Sequence, residues 1–205
     1  MFYLHEDNAL LLMETAWLTP ENDTNFFLHT VREALRNEQW STLAYRRPSF
    51  WGARDGADRK ATLEIHNRLG GLNRYKLRCI LAGAINTGSR MARLTEESPN
   101  CRCCDQGVPE TPEHIFEICP AHEPYRFTEI SREDWRALPP CLKLQGVMPK
   151  CNEHIPVRFH GPEEKQDLAC QIQHNLLDMW DHRCRLVGTE MPQPRWARDT
   201  RARTG

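Results

Sequence analysis

The chain has 205 residues, 40% hydrophobic and 27% charged, with a formal net charge of -1. That is enough for one domain or two small ones around a modest core. The longest apolar stretch, Ala9 to Met13, is far short of the roughly 18 residues of a membrane span, and the N-terminus carries His5, Glu6 and Asp7 rather than a basic region, so neither a spanning helix nor a secretory leader is expected.

The nine cysteines would suggest disulfides in a secreted chain. Without a leader, a reducing intracellular setting, nuclear or cytoplasmic, is expected, and clustered cysteines read as metal ligands. The small net charge hides an asymmetry. Residues 1–40 carry two basic against seven acidic groups; residues 41–95 carry eleven Lys/Arg against three Asp/Glu, a net of +8; residues 96–170 carry eight against fourteen, a net of -6. The basic block suits phosphate neutralisation with counterion release. The plainer alternative is a solvated surface balanced by the flanking acidic segments.

In chain order, residues 8–17 suit a short helix, interrupted at Thr19-Pro20-Glu21. Asp23 or Thr24 then starts a helix to about Tyr45, with Phe27, Val31, Leu35 and Leu43 on one face. Pro48, Gly52 and Gly56 make residues 46–57 a loop. Asp58 caps a helix with Leu63, His66 and Leu69 in register, ended by Gly70-Gly71. The next helix runs from about Asn73 to Ile85 and buries Leu77, Ile80, Leu81 and Ala84. Thr87 or Ser89 opens a short helical turn leading to Pro99.

Then comes the most informative stretch. Cys101, Cys104, His114 and Cys119 have the spacing C-x2-C-x9-H-x4-C. Three thiolates and an imidazole make a closed tetrahedral set for a structural Zn2+, with no position left for substrate. Cys101 to Cys104 reads as a tight turn. Thr111-Pro112-Glu113 is a helix start that presents His114 on the first turn and Cys119 at the end. Two substitutions in the set stay open: Cys103 for Cys101 or Cys104, and His122 for His114. Cys79, Cys141, Cys151, Cys170 and Cys184 read as core or incidental, although Cys141, Cys151, His154 and His160 offer an irregular second set.

Beyond the cluster, Ser131 caps a helix to about Leu138, ended by Pro139-Pro140. Residues 141–162 read as loop, briefly extended at Ile155 to His160. Pro162 opens the longest pattern, a helix over about 163–186, with Leu168, Ile172, Leu176, Trp180 and Cys184 every four residues. A basic, disordered tail is expected from Gly188.

The expected fold is mostly α: a small helical domain with a CCHC-type zinc-organised module and a C-terminal amphipathic helix. Its segments are residues 1–57 (helical segment and loop), 58–126 (basic helices plus zinc module), 127–187 (helical C-terminal region) and 188–205 (tail). Hydrolytic and deaminase zinc motifs, a G-x-S-x-G turn and Gly-rich phosphate loops are all missing from the sequence, so no enzyme is expected. Aromatics interleave with cations in the basic block, an arrangement suited to stacked bases and paired phosphates. Arg46, Arg47, Trp51, Arg74, Lys76, Arg78 and Arg90 are the candidate nucleic-acid contacts.

Residues from about Leu72 to Arg126 read LNRYKLRCILAGAINTGSRMARL, then CRCC, then PETPEHIFEICPAHEPYR. This resembles the zinc-binding region downstream of the polymerase in non-LTR (LINE-type) retrotransposon reverse transcriptases. Thr87, Arg90, Cys101, Cys104, Glu110-Thr111, His114 and Cys119-Pro120 carry the resemblance. It implies a zinc knuckle that binds RNA or single-stranded DNA. The chain contains no Asp-Asp pair and no recognisable ribonuclease H carboxylate set, so the resemblance implies a binding piece without its catalytic parts. The alternative is a zinc-braced adaptor that takes a protein partner through the helix near 163–186.

Overall fold

The computed structural model describes residues 24–188, with side chains from His29 onward. The expected helix at 8–17 and the tail beyond Gly188 lie outside these residues. The fold is mostly helical, and the only extended pairings among the described residues are two isolated antiparallel bridges, Ala57 with Pro149 and Asn100 with Pro109. No described helix is long and apolar enough to cross a membrane.

Among the described residues eight α-helices follow one another: α1 Thr24–Arg46, α2 Arg59–Arg68, α3 Gly71–Leu81, α4 Gly88–Met91, α5 Glu123–Arg126, α6 Arg132–Ala137, α7 Pro140–Gln145 and α8 Pro162–Val187. Local chemistry starts several of them. The Asp58 side chain accepts from Ala61 N (3.0 Å), Thr87 from Arg90 N (3.3 Å) and Ser131 from Asp134 N (3.1 Å). Each satisfies one of the backbone donors that a helix start leaves over.

Helix α8 is the axis of the fold. Leu168, Ile172 and Leu176 are fully buried and Trp180 nearly so, while Cys184 is only half-buried. Against that stripe pack Ala61 and Ile65 of α2, Leu77 and Ile80 of α3, Ile115 and Phe116 of the metal segment, and Leu142 of α7. Segments 58–126 and 127–187 therefore share one core. A buried polar bolt crosses it: Gln173 Nε2 donates to Thr62 O (2.8 Å) and Gly146 O (2.7 Å). A smaller cluster, Ala44, Phe50, Ala53, Cys141 and Val147, seats the C-terminal end of α1.

The structure departs from the sequence expectations in five places. Helix α2 buries Ala61, Thr62 and Ile65, not the stripe of Leu63, His66 and Leu69. Helix α3 stops at Leu81, so Ala84 is exposed and Leu81 only half-buried. Along α1 Leu35 of the expected face is 45% exposed and Val31 and Leu43 only half-buried; among the described residues of the helix Ala44 alone is buried. Finally, Pro140 does not merely end a helix. It opens α7, because proline at the first helical position sacrifices no hydrogen bond; the expected extended stretch is instead a 3-10 turn at Val157–Phe159.

Candidate metal centre

The chain doubles back on itself between Pro99 and Glu110. Cys101 N donates to Val108 O and Glu110 N to Pro99 O, both at 2.8 Å. This small knuckle lies close against α4: a Cβ on Gly88 would meet Pro99 O at 2.9 Å, so only glycine fits there. Downstream, Thr111 Oγ1 accepts from His114 N (3.1 Å), the helix start expected from Thr-Pro-Glu. The segment that follows is not an α-helix. Cys119 N donates to His114 O (2.6 Å) across a wide π-type turn, His114–Ile118. In an α-helix, residues five apart point about 140° apart. The i→i+5 turn closes that angle and lets His114 and Cys119 face one point.

The ligand atoms of Cys101, Cys104, His114 and Cys119 all lie within 4.8 Å of one another. Cys101 Sγ is 3.9 Å from Cys119 Sγ, and Cys104 Sγ is 3.4 Å from His114 Nε2. A tetrahedral ion with thiolate bonds near 2.3 Å and an imidazole bond near 2.0 Å requires edges of about 3.8 and 3.5 Å. The four residues therefore fit one tetrahedral metal ion. Cys101 and Cys119 are buried, as is His114.

The electrostatics suit metal ligands. Burial pushes the Cys101 thiol up, against the pull of the Cys103 and Cys104 backbone N–H groups aimed at its sulfur. Burial does the same to Cys119, against the Ala121 N–H. Each turn thus offers its sulfur backbone donors, which favour the thiolate once a cation balances the charge. Burial lowers the His114 pKa, keeping the ring neutral with a lone pair to give.

Neither open alternative belongs to the four-residue group. The His122 ring is fully buried beside His182, Nδ1 to Nδ1 at 3.1 Å, and is not part of the four-residue group. Cys103 is half-buried; with Cys101 and Glu110 it forms a second group of metal-ligating side chains. Burial raises its thiol to about 12. The Glu110 carboxylate in that group is already engaged by Gly88 N (2.7 Å) and by Arg183 Nη2 (2.7 Å). The four-residue set is therefore the better site. The irregular set does not assemble: Cys141 is buried in the smaller cluster, and the His154 ring stacks on Trp51.

Two buried arginines brace the centre, and both escaped sequence reasoning. Arg126 donates to Phe116 O (2.7 Å) and Cys119 O (3.1 Å), taking up carbonyls at the end of the π-type turn. Arg183 of α8 pairs with Glu110 and so fastens the knuckle to the axis of the fold. Each is a single cation far in sequence from its partner, with no local pattern to mark it.

The candidate nucleic-acid residues divide into two sets. Arg74 donates to Leu69 O (2.7 Å) and Asn67 O (3.2 Å), closing the end of α2. Lys76 pairs with Asp181 of α8 (2.6 Å), and Arg78 bonds His66 Nε2 (2.8 Å). Arg46, Arg47, Trp51 and Arg90 are exposed; of these Arg47 reaches Ala82 O (3.2 Å).

No protein-family model, curated protein or solved structure matches the chain.

Proposed function

We propose that this chain is a non-catalytic, zinc-organised module that binds RNA or single-stranded DNA. Three soft thiolates and an imidazole in a tetrahedron select zinc over hard divalent cations. All four positions are taken by protein, so the ion's contribution is to hold the knuckle and the π-type turn together, with no chemistry on a substrate.

The observation that carries the nucleic-acid reading is the state of the basic block. Of the eleven cations in residues 41–95, only Arg68 and Lys76 form ion pairs among the described residues. Most of these cations are exposed. The resemblance of residues 72–126 to the reverse-transcriptase zinc region supports the same reading and its origin in such an element. The adaptor alternative draws on the helix near 163–186 and on the acidic stretch after 96; the apolar face of that helix is occupied by the chain's own core.

The test is oligonucleotide binding by the zinc-loaded protein across a salt series. Affinity should fall as salt rises, with a slope of about 0.7 per phosphate contacted on a single strand. An affinity insensitive to salt, and unchanged by Arg46→Ala with Arg47→Ala, would sink the reading.

A further inference from the structure

The corner that joins α1 to the body carries an aromatic ring held out into solvent by its own backbone. Trp51 N donates to Pro48 O (3.0 Å), and Cys141 N donates to Trp51 O (3.0 Å). The next residue, Gly52, sits at φ +98°, where a Cβ would stand 2.6 Å from Pro139 Cβ. Position 52 therefore takes only glycine, and these backbone bonds fix the path of the corner. His154 backs the ring, with centroids 4.5 Å apart and planes inclined by 34°. His154 itself belongs to a turn fixed by Ile155 N to Asn152 O (3.0 Å). Trp51 is 52% exposed, as expected of a ring with one face covered and the other open.

Cations precede this ring closely in sequence. Helix α1 ends at Arg46, and Arg47 opens the turn that leads to Trp51; both are exposed, and neither forms an ion pair among the described residues. Tyr45 beside them is 91% exposed. An exposed aromatic face four residues after two exposed arginines, one of them donating to Ala82 O, suits a base stacked on a ring with its phosphates held by nearby cations. A duplex cannot use the face, because its bases are already stacked within the helix.

We infer that Trp51, backed by His154, is a stacking platform for an unpaired nucleobase, with Arg46 and Arg47 taking the adjoining phosphates. The inference rests on the nucleic-acid reading above and specifies where and how a single strand is held.

The experiment measures binding of a short oligothymidylate, a short oligouridylate and a duplex of equal length to the full zinc-loaded chain by fluorescence anisotropy. Trp51→Ala should weaken single-strand binding roughly 5- to 150-fold, the worth of one stacked base, and leave the salt slope unchanged. Trp51→Phe should recover most of the affinity. Arg46→Ala with Arg47→Ala should lower the salt slope by about 1.4. His154→Ala should weaken binding less than Trp51→Ala. Thermal melts check that each variant folds, which a half-exposed ring should permit. If Trp51→Ala binds single strands like the wild type, or if the duplex binds as tightly as the single strand, the platform is wrong while the nucleic-acid reading stands. If the wild type binds none of the three probes, both fall.

Discussion

Replacing Glu110 by alanine should be among the most damaging single changes available in this chain. Glu110 is 1% exposed and Arg183 6%, and their contacts run at 2.7 Å to Nη2 and 3.4 Å to Nε. Removing one partner of a buried ion pair leaves the other charge uncompensated, which costs roughly 3–5 kcal/mol. The Gly88 N–H loses its acceptor as well, for about 1–3 kcal/mol more. Against a total stability of roughly 5–15 kcal/mol, that is a large fraction. Urea unfolding followed by far-UV circular dichroism measures it directly. At 2–4 °C per kcal/mol for a domain of this size, the ion-pair loss alone should lower Tm by roughly 6–20 °C. Arg183→Met should cost a similar amount. The double variant Glu110→Leu with Arg183→Met should cost far less than the sum, because no lone charge then remains buried. If each single change costs under about 1 kcal/mol and the two add, the knuckle is not fastened to α8 by this pair.

Leu176→Ala in the fully buried stripe of α8 should destabilise by about 2–5 kcal/mol in the same unfolding assay; a loss under about 1 kcal/mol would contradict the placement of that face. Burial beside His182 lowers His122 to about 4. The folded state therefore favours the neutral ring, and this stability, about 3 kcal/mol, is present above the unfolded value near 6.5 and lost as pH falls toward 4. In metal-free protein, His122→Phe should flatten that acid-side decline; an unchanged pH profile would count against the buried neutral ring. Burial also keeps protons on Cys101 and Cys119 in the metal-free state, so a metal must displace them. Apparent zinc affinity, measured against a competing chelator, should fall by about tenfold per thiol for each pH unit of acidification. An affinity independent of pH would exclude thiolate ligands.

What was legible in the sequence was local chemistry. Asp58, Thr87, Thr111 and Ser131 act within three residues of their partners, so their caps can be read without the rest of the fold. The long stripe of Leu168, Ile172, Leu176 and Trp180 could be read because its period is helical and its length leaves no rival. For helix α2 periodicity points to Leu63, His66 and Leu69, whereas the structure buries Ala61, Thr62 and Ile65. Which face is buried depends on the neighbours that α8 supplies, so Ala61 and Ile65 could not be chosen from periodicity. The four clustered ligands were visible as spacing, but the π-type turn that aims His114 and Cys119 at one point was not, since a helix start looks the same for either ladder. Arg126 and the Glu110–Arg183 pair were invisible for a related reason. Their partners lie 7, 10 and 73 residues away, and only the folded chain brings them together.

The most direct test of the account is metal analysis of the purified full-length protein by mass spectrometry, beside Cys104→Ser and His114→Ala. One zinc per chain in the wild type, with most of it lost from both variants, is the predicted result. A wild-type protein without metal, or variants that keep a full complement of zinc, would contradict the centre built from Cys101, Cys104, His114 and Cys119.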